Sequence, residues 1–166
     1  MSCLDKIKKK IYNLENIIID VNIWRNDNKK IVFTNGCFDL IHKGHIDILS
    51  KSADLGDRLV VGVNSDLSIR NLKGESRPIM DQDSRLTILS SFEFIDAVIL
   101  FDEENPYDLI KNIVPNILTK GGDYKAKNIV GSDIVLDNGG DVVLIPFVDG
   151  CSSTSVIEKI LHNSNG

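Results

Sequence analysis

The residues best suited to chemistry lie in one stretch, Thr34-Asn35-Gly36-Cys37-Phe38-Asp39-Leu40-Ile41-His42-Lys43-Gly44-His45. His42 and His45 are three positions apart and share one face if they lie on a helix, with Gly44 leaving room beside them. Imidazoles donate protons to phosphate oxygens as charge builds on a leaving group. A helix amino end adds unpaired N–H groups and about half a positive charge. The stretch therefore predicts a phosphate site built for chemistry.

Apolar residues on both sides predict the elements that hold this stretch. Residues 31–33 predict a buried strand that ends at Thr34, and the apolar spacing from Ile46 to Leu55 predicts a helix that Gly56 stops. The stretch then lies between the carboxyl end of a strand and the start of a helix, where open α/β sheets bind ligands. Two alternatives stay open. The histidines are surface or core filler, or they form half of a metal site with Cys37 as a third ligand.

Composition limits the class of protein. The chain has 166 residues, of which 42% are hydrophobic and 26% charged, which indicates one globular domain. A net charge of −5 argues against a general nucleic-acid binder. Cys3, Cys37 and Cys151 form no disulfide framework and no Cys-x-x-Cys metal pattern. Without an apolar signal-peptide core or a membrane-length apolar run, we expect a cytoplasmic protein that binds no membrane.

Further apolar segments predict the rest of the fold. Strands are expected at 58–63, 97–101, 116–119 and 141–146, with amphipathic helices between them. Strand, helix and strand in this order give parallel pairs with right-handed crossovers. We therefore predict an α/β fold, a Rossmann-like, mostly parallel five-stranded sheet with helices on both faces. Residues 1–28 are expected to form a helical arm anchored by Trp24, for packing or for a dimer contact, and residues 29–166 the domain.

Other polar groups follow the strands or open the helices. Asn64 and Asp66 follow the second predicted strand, and Asp66 either contacts a ligand or caps the next helix. Lys73 and Arg77 lie in a polar segment that is either a solvated loop or a loop that closes over phosphates. Arg85, in the first turn of a helix, is either a surface residue or a phosphate ligand.

Two more segments are candidates for binding anions. Lys120-Gly121-Gly122-Asp123 ends a strand, where the glycines allow close approach of the backbone to a ligand or simply form a tight turn. Ser152, Ser153 and Thr154 open the last helix. Their hydroxyls cap that helix or hold a second anion such as the terminal phosphates of a nucleotide.

The quoted motif TNGCFDLIHKGH resembles the signature of the HxGH nucleotidyltransferases, the cytidylyltransferase-like superfamily, over about residues 29–161. LTKGGDY at 118–124 is similar to an element of the branch that makes ADP-heptose from heptose 1-phosphate and ATP, a step in lipopolysaccharide biosynthesis. The resemblance implies that His42, His45 and Lys73 are catalytic. It implies that the substrates contact Thr34, Asn35, Gly36, Phe38, Asp39, Gly44, Asn64, Asp66, Arg77, Arg85, Lys120, Gly121, Gly122, Asp123, Ser152, Ser153 and Thr154.

The resemblance also implies partners. Mg²⁺ should accompany ATP, with Asp39 as its protein contact, and a separate sugar kinase should supply the sugar 1-phosphate. The amino-terminal arm leads us to expect a homodimer. Relatives that use CTP often carry an arginine before the last hydroxyls, where this chain has Gly150-Cys151. That departure leaves more of the pyrophosphate charge to His42, His45 and Lys73. A cytidylyltransferase acting on glycerol 3-phosphate is the alternative enzyme, and a non-catalytic nucleotide-binding module is the alternative of another class.

Overall fold

The computed structural model describes residues 1–122, 129–147 and 153–164. The described helices are α1 (Cys3–Lys8), α2 (Leu14–Asn26), α3 (Lys43–Ala53), α4 (Asp66–Lys73), α5 (Gln82–Ser91), α6 (Tyr107–Ile113), α7 (Ser132–Asp137) and α8 (Ser153–Ser164). The described strands are β1 (Ile11–Tyr12), β2 (Ile31–Gly36), β3 (Arg58–Asn64), β4 (Ala97–Phe101), β5 (Ile117–Gly121) and β6 (Asp141–Ile145). They form one sheet in the order β1-β4-β3-β2-β5-β6, and every neighbouring pair is parallel.

The predicted α/β class, with a parallel sheet and helices on both faces, is confirmed, but the sheet has six strands instead of five. The additional strand, β1, pairs Ile11 with Val98 and Tyr12 with Ile99 at the edge of the sheet. Ile11 fitted the apolar stripe of a helix, and a strand of two residues is too short to show an alternating pattern of its own. The division into an arm at 1–28 and a domain at 29–166 stays a prediction.

Side chains alternate along the strands and define two faces of the sheet. On the face covered by α2, α6 and α7, here called the α6 face, the core includes Phe33, Val60 and Leu118. On the face covered by α3 and α5, the α3 face, the core includes Val32, Val61, Leu49 and Leu89. Burial on both faces is the reason that these strands are almost wholly apolar.

The same alternation decides where the last side chain of each strand lies. Asn35, Asn64 and Lys120 stand two or four residues after core residues of the α6 face, so they end their strands on that face. Thr34 and Thr119 stand one residue before Asn35 and Lys120, so their side chains lie on the α3 face. Because β2 has β3 on one side and β5 on the other, the winding of the chain reverses at β2. A crevice for ligands is expected at such a point, outside the carboxyl ends of the strands.

Residues 1–28 are packed against this sheet through α2. Ile17 and Val21 are buried in the α6-face core, and the side chain of Trp24 packs against it with the guanidinium of Arg58 over its ring at 5.7 Å. Among the described residues, no helix has the length and apolar character needed to cross a membrane.

Candidate active site

The two histidine rings are in contact at the amino end of α3, with their planes tilted by 32°. His42 is the N-cap, and its Nδ1 accepts a hydrogen bond from the Gly44 backbone N–H at 3.1 Å. The His42 backbone N–H in turn donates to Nδ1 of His45 at 3.4 Å, and the two ring centroids are 3.9 Å apart. A neutral imidazole that accepts through Nδ1 carries its proton on Nε2. The backbone therefore fixes both rings in the tautomer whose Nε2–H is left for a ligand.

Burial keeps both imidazoles neutral near pH 7. Desolvation, together with smaller electrostatic contributions from His42 and Lys73, lowers the pKa of His45 to about 4. The pKa of His42 is lowered by burial as well. An anion placed against the pair would favour the charged forms and raise both pKa values. The pair is thus suited to donate hydrogen bonds to a phosphate and to gain proton affinity as negative charge develops there.

Phe38 and the small residues around it hold the pair in place. The ring of Phe38 is buried, and its centroid is 5.4 Å from that of His45. Phe38 has a φ of 48°, in the left-handed region. A Cβ on Gly36 would stand 3.1 Å from Cε2 of this ring, closer than most real contacts. Gly36 therefore leaves the space that Phe38 uses to pack against His45.

A cavity of about 530 Å³ opens beside the pair, on the α6 face at the strand ends. Its polar lining includes Asn35, Asn64, Lys73 and Lys120. The histidines are not part of the lining, but Lys73, which is, lies close enough to His45 to affect its pKa. Lys120 Nζ donates to Asn35 Oδ1 at 3.1 Å, which bridges β5 to β2 across the point where the winding reverses. Burial lowers the pKa of Lys120. The structure thus brings His42, His45, Lys73, Asn35, Asn64, Gly36 and Lys120 to one region.

Several residues of the cavity were missed in the sequence. They are Cys37, which was considered only as a metal ligand, together with Leu72, Glu104, Asn105, Pro106, Ile129 and Val130. Glu104 and Asn105 lie in the short segment between β4 and α6, at the same edge as the other candidates, and that position was a usable signal. Ile129 and Val130 gave no signal, since only the folded chain brings them over the strand ends.

Arg85 is neither on the surface nor in the cavity lining. Its side chain is fully buried and is surrounded by protein acceptors. Nε donates to Met80 O at 3.1 Å, one terminal nitrogen donates to Cys37 O at 2.6 Å and Asn64 O at 2.7 Å, and the other pairs with a carboxylate oxygen of Asp66 at 2.8 Å. The guanidinium thus ties the ends of β2 and β3 to the segment before α5, and it does not face the cavity.

Asp39 and Arg77 also bind each other in this structure. The Asp39 carboxylate is almost fully buried, accepts from Arg77 Nε at 2.6 Å, and accepts from the backbone N–H groups of Ile79 and Met80 at 2.8 and 3.0 Å. These bonds fasten residues 77–80 to the histidine stretch. They leave Asp39 outside the cavity, so its expected contact with Mg²⁺ has no support in this geometry.

Thr34 and Asp66 have structural partners too. Thr34 is buried and donates through Oγ1 to Thr119 O at 3.3 Å, away from the cavity. Asp66 does not cap α4, because Ser65 is the N-cap, and its carboxylate binds Arg85; its contact with a ligand stays a prediction. Sequence alone does not separate these roles, since a polar side chain at a strand end suits a ligand and an internal partner equally well.

The remaining candidates lie at the carboxyl end of β5 and the start of α8. Gly121 is the last residue of β5, and Gly122 follows it with a φ of 120°. Ser153 opens α8 and donates through Oγ to Leu40 O at 3.3 Å, which joins α8 to the histidine stretch, and Thr154 is exposed. Asp123 and Ser152 lie outside the described residues. The described residues contain no group of three or more His, Cys, Asp or Glu arranged to hold a metal.

Comparison with known proteins assigns the chain to a family. The family model described as "Cytidylyltransferase-like" matches residues 33–159. The chain is 49% identical over 153 residues to "Bifunctional protein HldE" of Geobacter metallireducens, covering 92% of this chain and 31% of the relative. It is 53% identical over 137 residues to the protein of the same name from Wolinella succinogenes, covering 82% and 28%. The chain thus spans less than a third of these curated relatives.

Two solved structures share the architecture. The crystal structure of the lipopolysaccharide core biosynthesis protein from Thermoplasma volcanium is 31% identical with a TM-score of 0.57, covering 72% of this chain and 97% of that one. The pantoate-beta-alanine ligase from Francisella tularensis, "complexed with Beta-gamma ATP and Beta-alanine", is 16% identical with a TM-score of 0.60, covering 92% of this chain and 78% of that one. The second likeness concerns the fold alone.

Proposed function

The chain belongs to the cytidylyltransferase-like family, and from this premise we propose that it transfers AMP from ATP to heptose 1-phosphate, with release of pyrophosphate. The observation that carries the proposal is the contact pair His42–His45, held by backbone N–H groups with both Nε2–H donors left for a ligand. The choice of ATP and of a heptose acceptor is supported by the resemblance of 118–124 to the ADP-heptose branch.

In the proposed reaction an oxygen of the sugar phosphate attacks the α-phosphorus of ATP. A new P–O bond forms, the bond from the α-phosphorus to the α,β-bridging oxygen breaks, and the electron pair leaves with pyrophosphate. The acceptor is already anionic, so no side chain has to act as a covalent nucleophile. Catalysis then consists of placement and charge stabilisation.

The residues of this chain divide that work. His42 and His45 donate from Nε2 to the phosphate oxygens on which charge develops, and their proton affinity rises as it does. Lys73 and Lys120, which line the cavity, supply positive charge to the phosphates. Mg²⁺ is proposed to arrive with the triphosphate, and no step is assigned to a protein ligand for it because Asp39 is engaged elsewhere.

We further propose that a sugar kinase supplies the heptose 1-phosphate and that the protein works in the cytoplasm as a homodimer. These three proposals come from the sequence and the resemblance. They are tested by the identity of the accepted sugar phosphate, by localisation of the tagged chain, and by sedimentation of the purified protein.

The central experiment measures pyrophosphate release with ATP, CTP and GTP, each paired with heptose 1-phosphate or glycerol 3-phosphate. We expect turnover with ATP and heptose 1-phosphate. His42→Ala should lower it by about 100- to 1000-fold, since that is the usual loss when one preorganised donor is removed. The matched control is His162→Ala, an exposed histidine of α8.

Other results of this experiment would indicate a different function. Turnover with CTP and glycerol 3-phosphate would replace the proposed activity by the alternative enzyme. Nucleotide binding without pyrophosphate release for any pair would indicate the non-catalytic module. An unimpaired His42→Ala variant would remove the histidine pair from the chemistry.

A further inference from the structure

The charged residues of the cavity on the α6 face include groups from strands that are not neighbours, since Lys120 ends β5 and Glu104 follows β4, with β3 and β2 between them. Lys73 and Lys120 lie in its lining with the amides of Asn35 and Asn64, and Glu104 with Asn105 lies in the segment between β4 and α6. A ligand with negative charge throughout would meet the Glu104 carboxylate, which repels it. A ligand with one anionic end and one neutral, hydroxyl-bearing end satisfies both groups, because carboxylates and amides accept and donate hydrogen bonds to hydroxyls.

We propose that this cavity takes the sugar phosphate, with its phosphate at Lys73 and Lys120, and that Glu104 and Asn105 bind the sugar hydroxyls and so determine which acceptor is used. This inference rests on the proposed function and assigns residues that the sequence did not single out. The volume of about 530 Å³ lies within the range of small-molecule sites, roughly 300–1,000 Å³.

The lining supports the orientation of the ligand. Lys120 is the last cation of β5 and is fixed by its hydrogen bond to Asn35, so it presents a charge of defined position at the strand ends. Glu104 and Asn105 are exposed residues that precede Pro106, and the Ser68 hydroxyl donates to the backbone oxygen of Glu103 at 2.9 Å. That hydrogen bond ties the segment to α4, which carries Lys73. The phosphate-binding and hydroxyl-binding sides are therefore connected through α4.

The arrangement also separates the two substrates. The histidine pair lies outside the cavity lining, at the amino end of α3, and Ser153 links the start of α8 to Leu40 near the pair. The nucleotide is then left with the α3 and α8 side, and the acceptor with the α6 side. Their phosphates would meet between the histidines and the two lysines.

The test measures binding of two ligands that share a phosphate and differ in hydroxyls. Heptose 1-phosphate and methyl phosphate are titrated separately into the full chain by calorimetry, without nucleotide. The substitution Glu104→Gln keeps the size of the side chain and removes its charge. Glu103→Gln is the matched control, because Glu103 is an exposed neighbour outside the cavity lining.

We expect Glu104→Gln to weaken binding of heptose 1-phosphate by about tenfold or more, the usual effect of losing a hydrogen bond to a charged group. Binding of methyl phosphate should stay the same or become tighter, and Glu103→Gln should leave both affinities unchanged. Lys120→Met should weaken both ligands together, which separates the phosphate side from the hydroxyl side.

Three results would overturn the inference. One is an unchanged affinity of Glu104→Gln for heptose 1-phosphate, another is an equal loss for both ligands, and the third is a wild-type chain that binds no sugar phosphate. The proposed function fails differently. If the wild type binds heptose 1-phosphate with the expected Glu104 dependence and yet releases no pyrophosphate with ATP, the acceptor site stands and the transfer reaction is rejected.

Discussion

Replacing Arg85 by methionine separates two roles for this residue, a phosphate ligand and a buried tie between segments. Arg85 donates hydrogen bonds to three backbone carbonyl oxygens and pairs with Asp66. Methionine fills much of the same volume but leaves those acceptors without a donor inside the protein. The variant should therefore lose folding stability, and any loss of activity should follow from that.

The size of the effect follows from burial. Removing one partner of a buried ion pair costs about 3–5 kcal/mol. Because the side chain of Asp66 keeps 24% of its exposure, its charge is partly screened, and we expect about 3 kcal/mol, the lower end. For a chain of this size each kcal/mol lowers the Tm by roughly 2–4 °C, so the Tm should fall by about 6–12 °C.

The assay is urea unfolding of the wild type, Arg85→Met and Arg85→Lys. Lysine keeps the charge but has three donors on one atom and cannot span four acceptors, so it should recover less than half of the loss. Arg70→Met is the control, because among the described residues the Arg70 side chain has no hydrogen-bond or ion-pair partner, and its backbone bond to Gly74 is kept in the variant. A loss below about 1 kcal/mol for Arg85→Met, together with a raised KM, would refute this reasoning and restore the phosphate role.

Asp39→Ala removes the oxygen that accepts from both amides, so Ile79 and Met80 should exchange amide hydrogen faster while the amides of β3 keep their rates; unchanged exchange at both amides would contradict the account. His45 should make stability depend on pH. Between about pH 6.5 and 4 the unfolded chain binds a proton that folded His45 does not, so stability falls as the pH falls, and His45→Gln lacks this contribution. The stability advantage of wild type over His45→Gln should therefore be smaller at pH 4.5 than at pH 7.5, and an equal difference at both pH values would be inconsistent with burial of that imidazole.

The strands of the sheet centre were predictable because they are buried on both faces and flanked by turn residues. Residues 31–34, 58–63 and 97–101 have the continuous apolar character of such strands. The two-residue strand β1 was not predictable, since its pairing with β4 depends on tertiary contact. The sequence contains no local pattern that reports such contact.

The candidate site likewise contains residues that were predictable from the sequence and residues that were not. His42 and His45 were predictable because their chemistry and their position before a helix coincide. Asp39, Arg77 and Arg85 were chosen as phosphate or metal ligands because their charges suit a ligand, but in the folded chain they neutralise or hydrogen-bond one another and the backbone. Charge type alone does not distinguish a side chain directed to a ligand from one directed to an internal partner.

The most direct measurement is the pKa of His42 and His45 by nitrogen-15 NMR of the imidazole rings, with and without a non-hydrolysable ATP analogue. The free protein should show Nε2-protonated neutral rings and a pKa of about 4 for His45. Bound triphosphate should raise both pKa values, and the exposed His162 gives a reference signal in the same spectra. Saturating nucleotide that leaves the pKa values of His42 and His45 unaltered would contradict the claim that this pair receives the phosphates.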